Sequence, residues 1–222
     1  MLIELGALIF ATFGALVPIT NPFSTAPVFA SLSRRFTDER RNQQAWMASV
    51  YTAGTLLVAL VAGALIMSFF GITLPALRIA GGLVVARVGF GMLSPEPEQE
   101  LTDDSRDEAM QMTDIAFTPI SMPLLSGPGS IAMTIGMASE AGNVLEYAGI
   151  GIGIVFTALF AWMILRSSVR VAEVLGVTGM NVLTRLMGLI LVCIGVQFVL
   201  RGLVESITHP SVADSLRQAF GG

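Results

Sequence analysis

The chain has 222 residues, 54% of them hydrophobic and only 13% charged, with a mean hydropathy of +0.76, whereas roughly a quarter of residues are charged in soluble domains. This is the composition of an integral membrane protein, and at roughly 20 apolar residues per span it leaves no room for a sizeable extramembrane catalytic domain. The formal net charge is −4, and the twelve basic residues are all Arg and form no long stripe, which excludes nucleic-acid binding.

A single Cys193 and a single His209 exclude disulfide frameworks, Cys/His zinc clusters and a Cys-His nucleophile pair. Ser126 beside Gly127 has no base to activate it. No enzyme activity, cofactor or metal is expected.

Six apolar stretches run in order at 3–33, 46–70, 74–93, 115–139, 147–165 and 183–205. The N-terminus lacks a basic segment with a small-residue cleavage site, so the first stretch is expected to be retained. No charge occurs between Arg41 and Arg78, enough for one long helix ending near Phe69-Phe70-Gly71, with a tight return to Pro75 in the next first turn. Residues 94–113 hold two prolines and seven acids and are expected to form a solvated loop, and 208–222 a short tail. Loops one, three and five carry Arg34, Arg35, Arg40 and Arg41, then Arg106, then Arg166 and Arg170, whereas loops two and four carry none. The positive-inside rule puts the odd loops in the cytoplasm and both termini in the periplasm.

Residues 18–27, Pro-Ile-Thr-Asn-Pro-Phe-Ser-Thr-Ala-Pro, and 119–128, Pro-Ile-Ser-Met-Pro-Leu-Leu-Ser-Gly-Pro, share three prolines, an isoleucine and a hydroxyl residue at an offset of 101. A second echo relates Gly71-Ile72-Thr73 and Arg78-Ile79-Ala80-Gly81 to Gly176-Val177-Thr178 and Arg185-Leu186-Met187-Gly188. The expectation is an all-α membrane fold of six helices built from two three-span repeats, 1–93 and 114–207. An odd number of spans per repeat makes the second copy inverted, as in many alternating-access transporters.

Three prolines within ten residues predict that spans one and four break. The midpoints between flanking charges, residue 19 and residue 127, put both breaks near the membrane centre, where irregular backbone must face protein or a polar cavity. Pro22 and Pro27, like Pro123 and Pro128, are expected in first turns of restarting half-helices whose N–H groups and positive dipole ends point into the break. Asn21, Pro22, Ser24 and Thr25 from one copy, and Ser121, Ser126, Gly127, Gly129 and Ser130 from the other, then form a binding site for a small anionic or zwitterionic solute.

Asn21-Pro22-Phe23 with Pro27-Val28-Phe29, the run Phe70 to Gly82 (FGITLPALRIAGG) and the run Pro123 to Ala132 (PLLSGPGSIA) together resemble the MarC family of bacterial inner-membrane proteins. The resemblance spans nearly the whole chain. It implies an inner-membrane location and, because some relatives are described as small neutral amino acid transporters, transport of such solutes. It also implies that Asn21-Pro22 and Gly127-Pro128-Gly129 are the central elements.

Arg78 and Arg185, repeat mates at the starts of spans three and six, are expected in structural roles, by snorkelling or by pairing with a carboxylate. Arg87 lies deeper in its span and either pairs a substrate carboxylate or snorkels toward Ser94. No Asp, Glu or His lies in the central third of any span, which does not favour a proton relay, while sodium can be held by carbonyls and hydroxyls. The coupling ion, sodium or proton, is left open, as is a homo-oligomer. The leading expectation is a secondary transporter of small neutral amino acids or similar polar solutes, with a channel or facilitator and a non-transporting membrane scaffold or stress-response protein as alternatives.

Overall fold

Pro in the first turn of a helix and Gly just after its end are strong boundary signals, and they divide this chain at Pro22, Gly71, Pro75 and Pro128. A computed structural model describes residues 2–93 and 114–208; the acidic loop and nearly all of the tail lie outside the described residues. Helix α1 spans Leu2–Thr20 and α2 Pro22–Leu32, and the two meet at 47°. Helix α3, Asp38–Phe70, begins eight residues before its apolar stretch, because Thr37 accepts the Arg40 N–H and Asp38 and Glu39 sit at the positive end of the helix dipole. It ends where Gly71 turns left-handed at φ 65°, and α4 follows at Leu74–Leu93.

The second half starts differently. Residues 116–125 form an irregular stretch in which Thr118 and Met122 are extended, at φ/ψ of −119°/125° and −124°/122°. Each precedes a proline, whose ring disfavours the helical region for its predecessor. The Thr118–Pro119 and Met122–Pro123 peptides are cis. Two wide turns close the stretch, Ile120 N–H to Ile115 C=O at 3.3 Å and Ser126 N–H to Ser121 C=O at 2.7 Å. Regular helix resumes with α5 (Pro128–Glu140), α6 (Val144–Arg166) and α7 (Ser168–Thr208), the last broken at Gly176, where φ is 58°.

By length and apolarity, four helical stretches can cross a membrane, Asp38–Gly63, Leu74–Leu93, Val144–Arg166 and Thr178–Thr208, and the bent α1–α2 pair makes a fifth. Residues 115–139, expected as a broken span, are the irregular stretch followed by the 13-residue α5. All the described residues in regular structure are helical.

One group of buried side chains joins α2 (Phe29, Leu32) to the starts of α3 and of the irregular stretch and to the end of α6 (Ala161, Leu165). Trp46 and Trp162 meet edge to face at this end of the bundle, 5.5 Å apart, with Arg166 over the Trp162 ring. A second group joins α1, α3, α5 and α6 through Leu16, Leu56, Met133 and Ile154. Gly149 and Gly153 of α6 lie against Leu5, Leu8 and Thr12 of α1, while Gly151 faces Leu57 and Leu60 of α3.

The closest helix pair is α4 with α7, which run antiparallel through glycines spaced seven apart. A Cβ on Gly82 would lie 2.6 Å from the Gly195 carbonyl oxygen, one on Gly89 2.7 Å from that of Gly188, and one on Gly202 2.8 Å from that of Pro75. Apolar side chains such as Phe10, Val61, Leu65, Leu83, Leu189 and Leu200 point outward. In lipid no hydrophobic force pulls helices together, so this backbone contact, made of van der Waals packing, holds the pair.

Candidate functional site

The first break is built around one residue. Asn21 is left-handed at φ 36°, ψ 65°, a region tolerated by Asn more readily than by other side chains. Its N–H still completes α1 by donating to Val17 C=O at 3.0 Å. Its side-chain oxygen accepts the Ser24 N–H at 3.4 Å, and its carbonyl accepts the Ser24 and Thr25 hydroxyls at 3.1 and 3.3 Å. The side-chain amide donates to the Met92 sulfur of α4 at 3.7 Å. Asn21 thus caps α2 itself, so the start of that helix is not left wholly unpaired as the sequence suggests. Pro22 occupies the first turn of α2, but Pro27 lies inside the helix.

The second break is deeper and rich in hydroxyls. Ile115, Ala116, Ile120, Ser121, Leu125 and Ser126 are all fully buried. Ser126 Oγ donates to Ser121 C=O at 2.8 Å and lies 3.4 Å from Ser121 Oγ, which in turn is 3.2 Å from Thr52 Oγ1 of α3. Ser130 Oγ donates to Gly127 C=O at 2.9 Å, and Thr134 Oγ1 to Ser130 C=O at 2.8 Å. Gln44 of α3 closes the entry to the stretch, its side-chain oxygen accepting the Ile115 N–H at 2.9 Å. Pro128 is in the first turn of α5, whereas Pro123, also expected to start a half-helix, sits in the irregular stretch because Met122 before it is extended. Gly127 supplies no side-chain cap to α5.

The two breaks approach each other across apolar atoms. A Cβ on Gly129 would lie 3.3 Å from Val85 Cγ2 and 3.5 Å from Cγ2 of Ile19, two residues before Asn21. Among the described residues no hydrogen bond joins the Asn21–Ser24–Thr25 group to the Thr52–Ser121–Ser126 group. Two cavities, of about 330 and 170 Å³, are lined by Gln197, Arg201 and Glu205 and by Leu8, Glu140 and Glu146; neither includes a residue of the proline motifs. Within each break the polar side chains are bonded to neighbouring backbone and hydroxyl groups.

The three arginines part company. Arg78 is buried, and its guanidinium pairs with both Glu140 and Glu205. Arg185 is exposed. Arg87 is exposed too, on the face of α4 that carries Leu83, Val84 and Val88, while Gly82, Val85, Gly89 and Met92 form the buried face. The fold does not bring Arg87 to the breaks.

Thr52, Gln44, Met92, Glu140 and Glu205 are contributors that the sequence reading did not single out as site residues. Gln44 and Thr52 could have been found, since they are polar residues eight apart, two turns on along the helix, where the charged start of α3 gives way to its apolar run. Each neutral hydroxyl bond here contributes about 1 kcal/mol. Thr52→Val and Ser121→Ala are each expected to cost about 1 kcal/mol and the pair less than the sum, because they share one bond. Thermal unfolding of the single and double variants in detergent checks this; strict additivity would remove the bond from the account.

A family model described as MarC family integral membrane protein matches residues 6–207. The chain is similar to the UPF0056 inner membrane protein MarC of Citrobacter koseri and of Salmonella typhimurium, 39% identical over 203 residues that cover 86% of this chain and 92% of each relative. The protein of the same name from Escherichia coli O1:K1 / APEC shows the same identity and coverage. No solved structure matches. A family match over nearly the whole chain, joined to an all-helical fold with membrane-length apolar helices, makes this protein a member of the MarC family of integral membrane proteins.

Proposed function

We propose that the chain is an inner-membrane secondary transporter of small neutral amino acids or similarly small zwitterionic solutes, working by alternating access. The observation that carries this reading is a pair of neighbouring helix breaks lined by the buried polar side chains of Asn21, Thr25, Ser121, Ser126 and Ser130, with Pro22 and Pro128 each opening a new half-helix. Irregular backbone deep inside a membrane protein is costly unless a polar function needs it. The dipole end of a half-helix attracts a carboxylate, while Asn21, Ser24, Thr25, Ser121, Ser126 and Ser130 offer neutral groups of a size suited to an amino acid.

Six spans in two inverted repeats are part of the proposal, with residues 115–140 as the fourth span. The packing supports them. If 1–93 and 114–207 are mates, α1–α2 against α6 becomes α3 against residues 116–140, and both contacts exist. The α4–α7 pair maps onto itself, and its glycine contacts 82 with 195 and 89 with 188 run antiparallel as inversion demands. With loops one, three and five in the cytoplasm, both termini are periplasmic.

The test is uptake of labelled glycine, alanine and serine into proteoliposomes under imposed sodium and proton gradients, with empty liposomes as baseline. The expected result is saturable flux, faster when unlabelled solute is present on the opposite side. A gradient that raises the flux identifies the coupling ion. Failure of folded, inserted protein to move any of the panel overturns the amino acid reading, and flux without acceleration by opposite-side solute overturns alternating access in favour of a channel.

A further inference from the structure

Arg78 is an arginine near the end of the bundle formed by residues 71–73 and 141–143, with only 6% of its side chain exposed. A guanidinium so buried costs several kcal/mol if left unpaired. Its two partners differ in kind. Glu205 belongs to α7, which already abuts α4 one turn away, where a Cβ on Gly202 would lie 3.2 Å from Arg78 Cβ. That ion pair joins two helices already packed backbone to backbone through their glycines. Glu140 is the last residue of α5. Its carboxylate ties the far end of that half-helix to the α4–α7 pair.

Helix α5 also carries the site. Gly129 and Ser130 stand in its first turn and Glu140 at its end, about 16 Å apart along one uninterrupted 13-residue rod. Along the way it lies against small or yielding partners: Ala132 faces Gly81, Ile135 faces Gly63, and the Ser139 hydroxyl lies 3.4 Å from the Met67 sulfur. Besides Arg78–Glu140, no charged contact between α5 and its neighbours occurs among the described residues. Arg185, the repeat mate of Arg78 at the opposite end, is exposed and has no ion pair among the described residues.

We propose that Glu140 is a latch: its ion pair with Arg78 holds α5 shut against α4 and α7, closing the path from the break at Ser126–Ser130 to that side of the membrane, and its release opens the path. Glu205 is a positioning residue that keeps Arg78 pointed at the latch. The structure is the latched state. The inference rests on the alternating-access reading, although what it asserts is sidedness of access, which can be measured without any solute.

The experiment replaces the native thiol by Cys193→Ser and places a reporter by Thr134→Cys, a fully buried position on α5 one turn beyond Ser130. A membrane-impermeant maleimide is applied to right-side-out and to inside-out vesicles. With the latch intact, labelling from the Arg78 side is expected to be slow. Adding Glu140→Gln is expected to raise it on the order of tenfold from that side only, while Glu140→Asp restores most of the protection. Glu205→Gln is expected to raise it less, because the glycine contacts still hold α4 and α7 together. Equal labelling with and without Glu140→Gln overturns the latch, as does an equal rise from both sides, which reports general loosening. If the Thr134→Cys parent is misfolded, Ala138→Cys, buried on the same helix and outside the site, serves as the reporter with the same two readings. A one-sided rise in a protein that moves no amino acid keeps the latch and discards the solute, whereas normal flux with unchanged labelling does the reverse.

Discussion

Gly195→Leu is expected to leave little or no folded protein, with the aggregate replacing the monodisperse species in detergent chromatography. The new Cβ alone would sit 2.6 Å from both the Gly82 carbonyl oxygen and the Ala86 nitrogen, and 2.8 Å from Ala86 Cβ. All three atoms are backbone or the first side-chain carbon, so no rotamer relieves the clash. The helices must separate by about 1 Å before the rest of the leucine is placed, and the contacts at Gly89 with Gly188 and at Gly202 with Pro75 loosen with them. Overpacking in a well-filled core costs about 1–3 kcal/mol, and more when backbone must move. Here the loss extends along a helix pair held by close packing, against a total stability of about 5–15 kcal/mol. Gly14→Leu is the control: nothing lies within 4 Å of its Cβ position. It is exposed on α1 and is expected to be neutral or slightly stabilising, because glycine is a poor helix former. If both variants survive equally, the glycine contacts do not hold the pair.

That seam illustrates what a sequence carries openly and what it hides. Glycines at 82 and 89 and at 188, 195 and 202 form two runs of period seven, visible to anyone looking for it, but a run on one helix does not name the helix it faces. The antiparallel pairing supplies the partner. The ion pairs of Arg78 were hidden in the same way, since Glu140 lies 62 residues away and nothing local distinguishes it from an ordinary charge at a span end.

The helix breaks were legible because proline acts locally. Pro22 and Pro128 restart helices as their position predicts, and Gly71 ends α3 where the run Phe69-Phe70-Gly71 suggests. The repeat, however, invites one geometry for both copies, and here they diverge. Thr118 and Met122 are extended before their prolines and widen the second break into a ten-residue stretch, whereas in the first copy a single left-handed Asn21 absorbs the whole turn. Asn in one copy and Met in the other account for the difference at that repeat position, whereas Val17 stays helical before Pro18 while its mate Thr118 is extended before Pro119, a difference nothing in the structure explains. Asn tolerates the left-handed region and its side chain replaces the missing backbone partner; Met can do neither.

Asn21 is thus asked to do two things, shape the break and offer a polar group to solute, and substitutions separate them. Asn21→Val is expected to lose both: a β-branched residue at φ 36° costs about 1–2 kcal/mol and the lost cap about 1 kcal/mol more. That should lower the melting temperature and abolish flux. Asn21→Gly adopts the left-handed turn without strain, and replacing an Asn cap by Gly costs only a few tenths of a kcal/mol, so a protein of near-parental stability is expected. Its flux should still fall by about ten- to a hundredfold, mainly through a higher KM, since a hydrogen bond to a charged solute group contributes about 1.5–3 kcal/mol. Parental flux and KM in Asn21→Gly would confine the side chain to the turn and move solute recognition to the hydroxyls of Ser121, Ser126 and Ser130. A collapse of stability in Asn21→Gly would instead show that the amide's bonds to Ser24 and Met92 hold the start of α2 in place against α4, a burden greater than either contact geometry suggests.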